Sequence, residues 1–532
     1  MGNLVSQDLE GSYNKLCKEL LENNPRHQDG CLHWASQTFK SDKLTHFIDC
    51  LGKNTCLKRL VLRDLDGLED APSLAKAIQQ HPTLVCLGFN GRLLKQDFQV
   101  FADAFLESPT LTELEIENSI VPANTIDGVI TILTKSPKAK ATSLALKGCQ
   151  VDASLLDRFT DVLASSATAT TLEKLEITLK PPVQAMESAK NLNLFFQAKD
   201  SVLTKVKFAG FLQNALPSLL EGAKGHPVLK HITLEGKGVN DEDSTEELAQ
   251  LLLEAPPSLE VLDLSNCYLT SDGVTRLAEV MLKSKSASLK ELYFSHNSLA
   301  NEGVLALSKV LEDPASKYRE TLQVLDLRMN QIGSEGIAAL CRALETSPPA
   351  LQRLFIGEEA PRPNPSRQFV SNDIQALVEM LQKNSFLRDL NLEDASFDDE
   401  DLLNNFLDAL GKNKTFLKGL RVAVRTTKEL QAIADKISAL HLERLHVKVM
   451  DGAEFDEATA KALLGSLEKN DSLHDLVLSD MKGPNAAVWK SFEPKIKHLL
   501  AQRTGNGVKR SLVDSSNGEA NNDSKRSKSS DL

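Results

Sequence analysis

From Ser258 onward the chain alternates apolar and polar positions for a few residues and then switches to helical spacing. Leu259, Leu262 and Leu264 carry a short strand, Cys267 ends it, and Asp272-Gly273 turns the chain. Val274, Leu277 and Met281 then recur on one helix face. The plan returns from Ser288 with Leu289, Leu292, Phe294 and Asn297, and from Thr321 with Leu322, Leu325, Leu327 and Asn330. The same triplet of apolar anchors runs outward to Leu57/Leu60/Leu62 on one side and Leu473/Leu476/Leu478 on the other. That makes about fifteen units with a mean period of about 30 residues. Outside the centre the Asn/Cys position is often lost, to Leu65, Ser119, Ala395 and Met481, although Cys149 keeps it.

The motif L-x-x-L-x-L-x-x-N/C resembles the leucine-rich repeat, and its long, helix-containing period is similar to that of the ribonuclease-inhibitor subfamily. The resemblance implies an α/β solenoid, a horseshoe with a parallel inner sheet and outer helices. The physical reason for such a pattern is burial. One strand-plus-helix unit cannot hide its apolar face alone, so neighbours stack and share a core. Each buried leucine contributes roughly 1.5–3 kcal/mol, which makes its recurrence the register of the stack.

Three parts are expected: an N-terminal segment with a capping helix at 1–29, repeats over 30–503, and a tail at 504–532. Leu9, Tyr13, Leu16, Leu20 and Leu21 give the first helix an apolar face, and Asn23-Asn24-Pro25 stops it. Cys31–Ser36 reads as the strand of a degenerate first unit, followed by a helix carrying Leu44, Phe47, Ile48 and Leu51. Trp489, Phe492, Ile496, Leu499 and Leu500 form a closing helix that Pro494 is expected to kink. The tail is rich in Ser, Asn, Gly and Lys with almost no apolar residues, so disorder is expected. An insertion at Gly357–Ser371 with three prolines reads either as a binding loop or as a tolerated surface loop. Pro314–Glu320 reads as an ordinary spacer.

Net charge of −12 argues against nucleic acid as the partner of the folded part. The eight cysteines are scattered, and neither a secretory signal nor a bilayer-length apolar run is present, which points to a reducing, intracellular setting. Met1-Gly2-Asn3-Leu4-Val5-Ser6 fits the acceptor pattern for N-myristoylation of Gly2, or is a chance match to a loose motif. Lys509-Arg510 and Lys525-Arg526-x-Lys528 are similar to a bipartite nuclear import signal with a long spacer, or form a solvated basic tail. The expected location is therefore cytoplasmic, with nuclear entry through the tail and peripheral membrane contact through an acylated Gly2. His27, Cys31, His33, Cys50 and Cys56 lie near one another in sequence but lack the paired spacing of a zinc site. No metal or cofactor is expected.

Strand side chains alternate, so the residues flanking the second and third anchors face the inner curve. They give an acidic group (Glu113, Glu115, Glu117), then Lys174, Lys205 and Lys207, and near the end Arg421, Arg444, His446 and Lys448. The middle holds Glu291, Tyr293, Asp326, Arg328, Arg353 and Phe355. Aromatics and arginine anchor interfaces, so Tyr293, Arg328, Arg353 and Phe355 are the first candidates for partner contact, with Lys205, Lys207 and Arg444 beside them. No catalytic constellation has useful spacing: Gly411–Thr415 lacks the glycine and order of a phosphate loop, and neither H-E-x-x-H nor G-x-S-x-G occurs. The expectation is a monomeric, non-catalytic scaffold for a protein partner. The alternatives are a regulator of a small GTPase, because the Ran GTPase-activating protein is built from similar long repeats, or a microbial effector acting inside a host cell. That GTPase-activating family carries an acidic segment after its repeats, where this chain carries a basic tail.

Overall fold

A computed structural model describes residues 2–504 apart from 26–27, 34–40, 66–67, 93–97, 136–140, 166–169, 181–185, 211–215, 237–238, 240–241, 255–256, 286, 347–349, 358–368, 394–396, 398–399 and 413–415. The strands are β1 (Asp29–His33), β2 (Arg59–Arg63), β3 (Cys86–Asn90), β4 (Glu113–Glu117), β5 (Ser143–Cys149), β6 (Lys174–Leu179), β7 (Lys205–Ala209) and β8 (His231–Glu235). They continue as β9 (Val261–Asp263), β10 (Glu291–Tyr293), β11 (Val324–Asp326), β12 (Arg353–Phe355), β13 (Asp389–Leu392), β14 (Gly419–Val424), β15 (Arg444–Val449) and β16 (Asp475–Ser479). All sixteen lie side by side in chain order in one sheet, and every pair is parallel. The second anchors face one another across the whole sheet: Leu60 pairs Leu87, Leu262 pairs Leu292, and Leu445 pairs Leu476. Those anchors carry almost no exposed surface, so the leucine spacing sets the register as the burial argument requires.

Polar side chains stitch consecutive units at the ends of several strands. Asn297 accepts hydrogen bonds from the Cys267 and Leu269 amides (3.1 and 2.9 Å) and donates to the Leu264 and Phe294 carbonyls (2.9 and 2.8 Å). Asn330 repeats this one unit on. At the same position the Cys267 and Cys149 thiols donate to the Leu234 and Ile116 carbonyls through weaker sulfur hydrogen bonds. At the other end, a residue three before the first anchor receives the backbone amides of the helix-to-strand corner. Asn54, Asn384 and Asn470 do so through Oδ1, Ser108 through Oγ, and His226 through Nδ1. Burying these groups without such bonds would cost on the order of 1–3 kcal/mol each.

The N-terminal cap differs from the sequence expectation in two places. Helix α1 (Gly2–Glu22) buries Tyr13, Leu16, Cys17 and Leu20, while Leu21, one step around the helix, is half exposed. The first strand starts two residues before Cys31, and Gly30 stands at the anchor position, paired with Leu60. A Cβ on Gly30 would come within 3.3 Å of Leu16 Cδ1, so α1 fills the volume that a leucine occupies in later units. Helix α2 (Ser41–Lys53) follows and buries Leu44, Phe47, Cys50 and Leu51. At the far end a single helix, Gly483–Thr504, runs through Pro494 and buries Ile496 and Leu500. Its Arg503 donates to the Leu473 and Leu467 carbonyls of the last repeat.

The stretch expected as a spacer is structural. Lys317–Thr321 forms a short helix whose Tyr318 is fully buried and donates to the Leu252 carbonyl, 66 residues upstream, at 2.5 Å. The proline-bearing insertion is pinned at its end by Phe369, buried beside Phe397 with ring centroids 6.3 Å apart. Its residues 358–368 lie outside the described residues, as does the tail from 505.

Candidate binding face

The strand register turns the inner curve into three columns of side chains, at the positions before, between and after the second and third anchors. Glu113, Glu115 and Glu117 do not form the open acidic patch expected from sequence. Arg59 on β2 reaches over β3 to Glu115 (2.6 Å), and Lys147 on β5 reaches back to the same carboxylate (2.9 Å). Both cations also lie 3.5 Å from Glu117, and Lys174 sits 4.0 Å from Glu113. Burial works to raise the Glu115 carboxyl, but the hydrogen bonds and charges of Lys147 and Arg59 outweigh it and hold it below the ordinary value. This part of the face is a closed network of neutralised charge.

The middle differs. Glu291 on β10 accepts from the Tyr293 hydroxyl (2.7 Å) and from Arg353 on β12 (3.1 Å). Asp326 on β11, only 1 % exposed, takes a forked contact from Arg328, with Nη2 at 2.7 Å. The Arg328 guanidinium lies 5.3 Å from the centroid of the Phe355 ring, within cation–π range. The four contact candidates therefore come together on β10 and β12 and just past the end of β11. Their partners Glu291 and Asp326 hold them in place, a role the one-dimensional pattern does not reveal.

The other candidates lie apart from this cluster. Lys205 and Lys207 are on β7, three strand spacings or about 14 Å from β10, and Lys207 lies 3.8 Å from Glu176. Arg444 is on β15 and pairs with Asp389 across β14 (2.8 Å). Position 419 between them is glycine, and a Cβ there would collide with the Asp389 carboxylate. His446 Nε2 is 2.9 Å from Ser479 Oγ, and burial lowers its pKa despite the Glu393 carboxylate nearby. The terminal basic run is thus partly neutralised as well. Gly2 is the first residue of α1, and Lys509, Arg510, Lys525, Arg526 and Lys528 lie outside the described residues.

The leucine-rich repeat family model matches residues 255–278, 285–308 and 320–341, which carry the strands, Cys267, Asn297 and Asn330 just described. Relatives match around and beyond that core. The chain is 24% identical to the pig (Sus scrofa) ribonuclease inhibitor over 416 residues, covering 73% of this chain and 87% of that protein. It is 26% identical to the mouse (Mus musculus) ribonuclease inhibitor over 246 residues, 42% of this chain and 53% of the relative. The chain is a leucine-rich repeat protein of the ribonuclease-inhibitor kind. A bovine (Bos taurus) NACHT, LRR and PYD domains-containing protein 9 matches at 27% identity over 173 residues, 28% of this chain and 17% of that protein. The match therefore spans only a small part of that relative.

Leucine-rich repeat proteins are in general protein-interaction scaffolds. Among the described residues no helix is long and apolar enough to cross a membrane. Of the cysteines and histidines near one another in sequence, His27 and the His33 side chain lie outside the described residues, while Cys31 faces the inner curve on β1 and Cys56 donates to the Asn23 carbonyl at 3.2 Å, away from Cys50 on α2. The fold gathers a different set, Cys17, His46 and Cys50, whose ligand atoms lie within 4.8 Å of one another. The helical spacing of His46 and Cys50 was the available signal. Cys17 faces them only because α1 packs on α2.

Proposed function

We propose that this leucine-rich repeat protein is a non-catalytic scaffold that holds a protein partner in its inner curve, centred on Tyr293, Arg328, Arg353 and Phe355. The observation that supports the reading is the cluster at β10–β12, where Glu291 bonds Tyr293 and Arg353, Asp326 bonds Arg328, and Arg328 lies over the Phe355 ring. Fixing such side chains before contact removes part of the ordering cost of binding, about 0.5–1.5 kcal/mol per side chain. Sixteen strands at about 4.8 Å give a surface of about 70 Å, a length suited to a folded protein. Lys205, Lys207 and Arg444 stand at its flanks as secondary contacts. The protein works as a monomer in the cytoplasm in this reading, Gly2 acylation gives transient membrane contact, and the basic tail directs nuclear entry.

The test is affinity capture from the native cell with Arg353→Ala/Phe355→Ala against wild type. Both side chains are part-exposed, so the circular dichroism spectrum should be unchanged while the captured partner is lost. Arg328 is unsuitable as the variant, because replacing it would leave Asp326 buried without its cation. Retention of every partner by the double variant contradicts the assignment, and stimulated GTP hydrolysis across a panel of small GTPases would replace the scaffold reading with the regulatory one. Myristate-analogue labelling of wild type against Gly2→Ala tests acylation separately.

A further inference from the structure

We propose that Cys17, His46 and Cys50 form a zinc site that fastens the N-terminal helix to the first repeat. His46 and Cys50 stand four residues apart on one face of α2, and α1 presents Cys17 to that face. Cys50 Sγ is 3.7 Å from His46 Nε2, and all three ligand atoms lie within 4.8 Å of one another. Zinc takes thiolate sulfur at about 2.3 Å and imidazole nitrogen at about 2.0–2.1 Å in a tetrahedron, which places its ligand atoms about 3.5–3.8 Å apart. The His46–Cys50 pair already stands at that spacing, and Cys17 has to close by no more than about 1 Å to meet it. Cys17 and Cys50 are buried (4 % and 0 % exposed) while His46 is exposed, so the three ligands close the inner side and the outer side faces water. A water molecule supplies the fourth ligand. Two thiolates and one imidazole form a soft donor set that suits zinc and excludes magnesium or calcium.

The surroundings fit a fastening role. Tyr13 packs beside His46, with ring centroids 6.3 Å apart, and donates to the Lys43 carbonyl at 2.8 Å, which holds the imidazole side of the site. The bonds would tie α1 directly to α2 and close the segment between them. The cap needs such a tie: α1 must stay in place for Leu16 to fill the gap left by Gly30.

Full-length protein, reduced with a phosphine and freed of metal, is titrated with Zn2+ and separately with Co2+. One equivalent of Zn2+ should bind and raise the thermal midpoint, and a chelator should reverse the rise. Co2+ should give tetrahedral visible bands together with thiolate-to-cobalt charge transfer. His46→Gln changes only an exposed side chain, so the fold is kept, and zinc affinity should fall more than about tenfold. Cys50→Ser should remove charge-transfer intensity. Absence of a bound equivalent in wild type overturns the site, as does an octahedral cobalt spectrum or affinity unchanged by His46→Gln.

Discussion

The inner face on β2–β5 and the inner face on β10–β12 are built from the same columns of the same repeat, yet they do different things with charge. On the first, Arg59 and Lys147 close on Glu115 from both sides, and the carboxylates are consumed by the sheet itself. On the second, each carboxylate holds one arginine against a neighbour and leaves aromatic surface beside it: Glu291 with Arg353 and Tyr293, Asp326 with Arg328 and Phe355. A leucine-rich repeat surface therefore cannot be ranked for binding by counting charges along it. The charges are paired in both regions, and what sets the middle apart is that rings stand beside the pairs.

The most severe way to break the comparison is to remove the frame both regions share. Leu262→Asp places a carboxylate where the side chain is 0 % exposed, and should cost on the order of 4–5 kcal/mol, unfolding the central repeats in a thermal melt. An unchanged melt would mean that the register is wrong. Asn297→Ala comes next. It leaves the Cys267 and Leu269 amides without their acceptor and should cost about 3 kcal/mol. The same truncation at Cys149, whose thiol makes weak sulfur hydrogen bonds, should cost less by guanidinium titration.

Acidification sharpens the contrast further. Burial lowers the pKa of His226, whose Nδ1 must stay unprotonated to accept the Leu229 amide. Its contribution to stability is full above the ordinary histidine value of 6.5 and is lost as pH falls below it towards the lowered folded value. His226→Asn, which copies the corner residue at positions 54, 384 and 470, should flatten the midpoint-versus-pH curve in that window. Glu115 acts lower: its stabilisation is present above the ordinary 4.5 and is lost as pH drops through its depressed value. The smallest effect is Glu115→Gln, which should cost about 1 kcal/mol at neutral pH and remove this lower step.

Which of these features the sequence announces follows from how far apart the partners stand. The anchors are legible because each must be apolar and each recurs at a local spacing, and the Asn297 ladder is legible for the same reason. The ion pairs are not. Arg59–Glu115, Glu291–Arg353 and Asp389–Arg444 each skip one strand and join residues 56, 62 and 55 positions apart, separations set by helix and corner lengths that vary between units. The role of Tyr318 is not legible because its partner carbonyl, on Leu252, lies two units back. The acidic group at 113–117 is neutralised for the same reason: Glu113, Glu115 and Glu117 share one strand, whereas their cations come from others.

The account rests on the claim that the middle of the inner curve receives the partner and the β2–β5 network does not. A photo-crosslinking amino acid placed in turn at Tyr293, Phe355, Ala145 and Arg63 in the native cell tests this most directly. Adducts of one defined protein at Tyr293 and Phe355, and none at Ala145 on β5 and Arg63 on β2, are the predicted result. Equal labelling at all four, or adducts confined to Ala145 and Arg63, would contradict it.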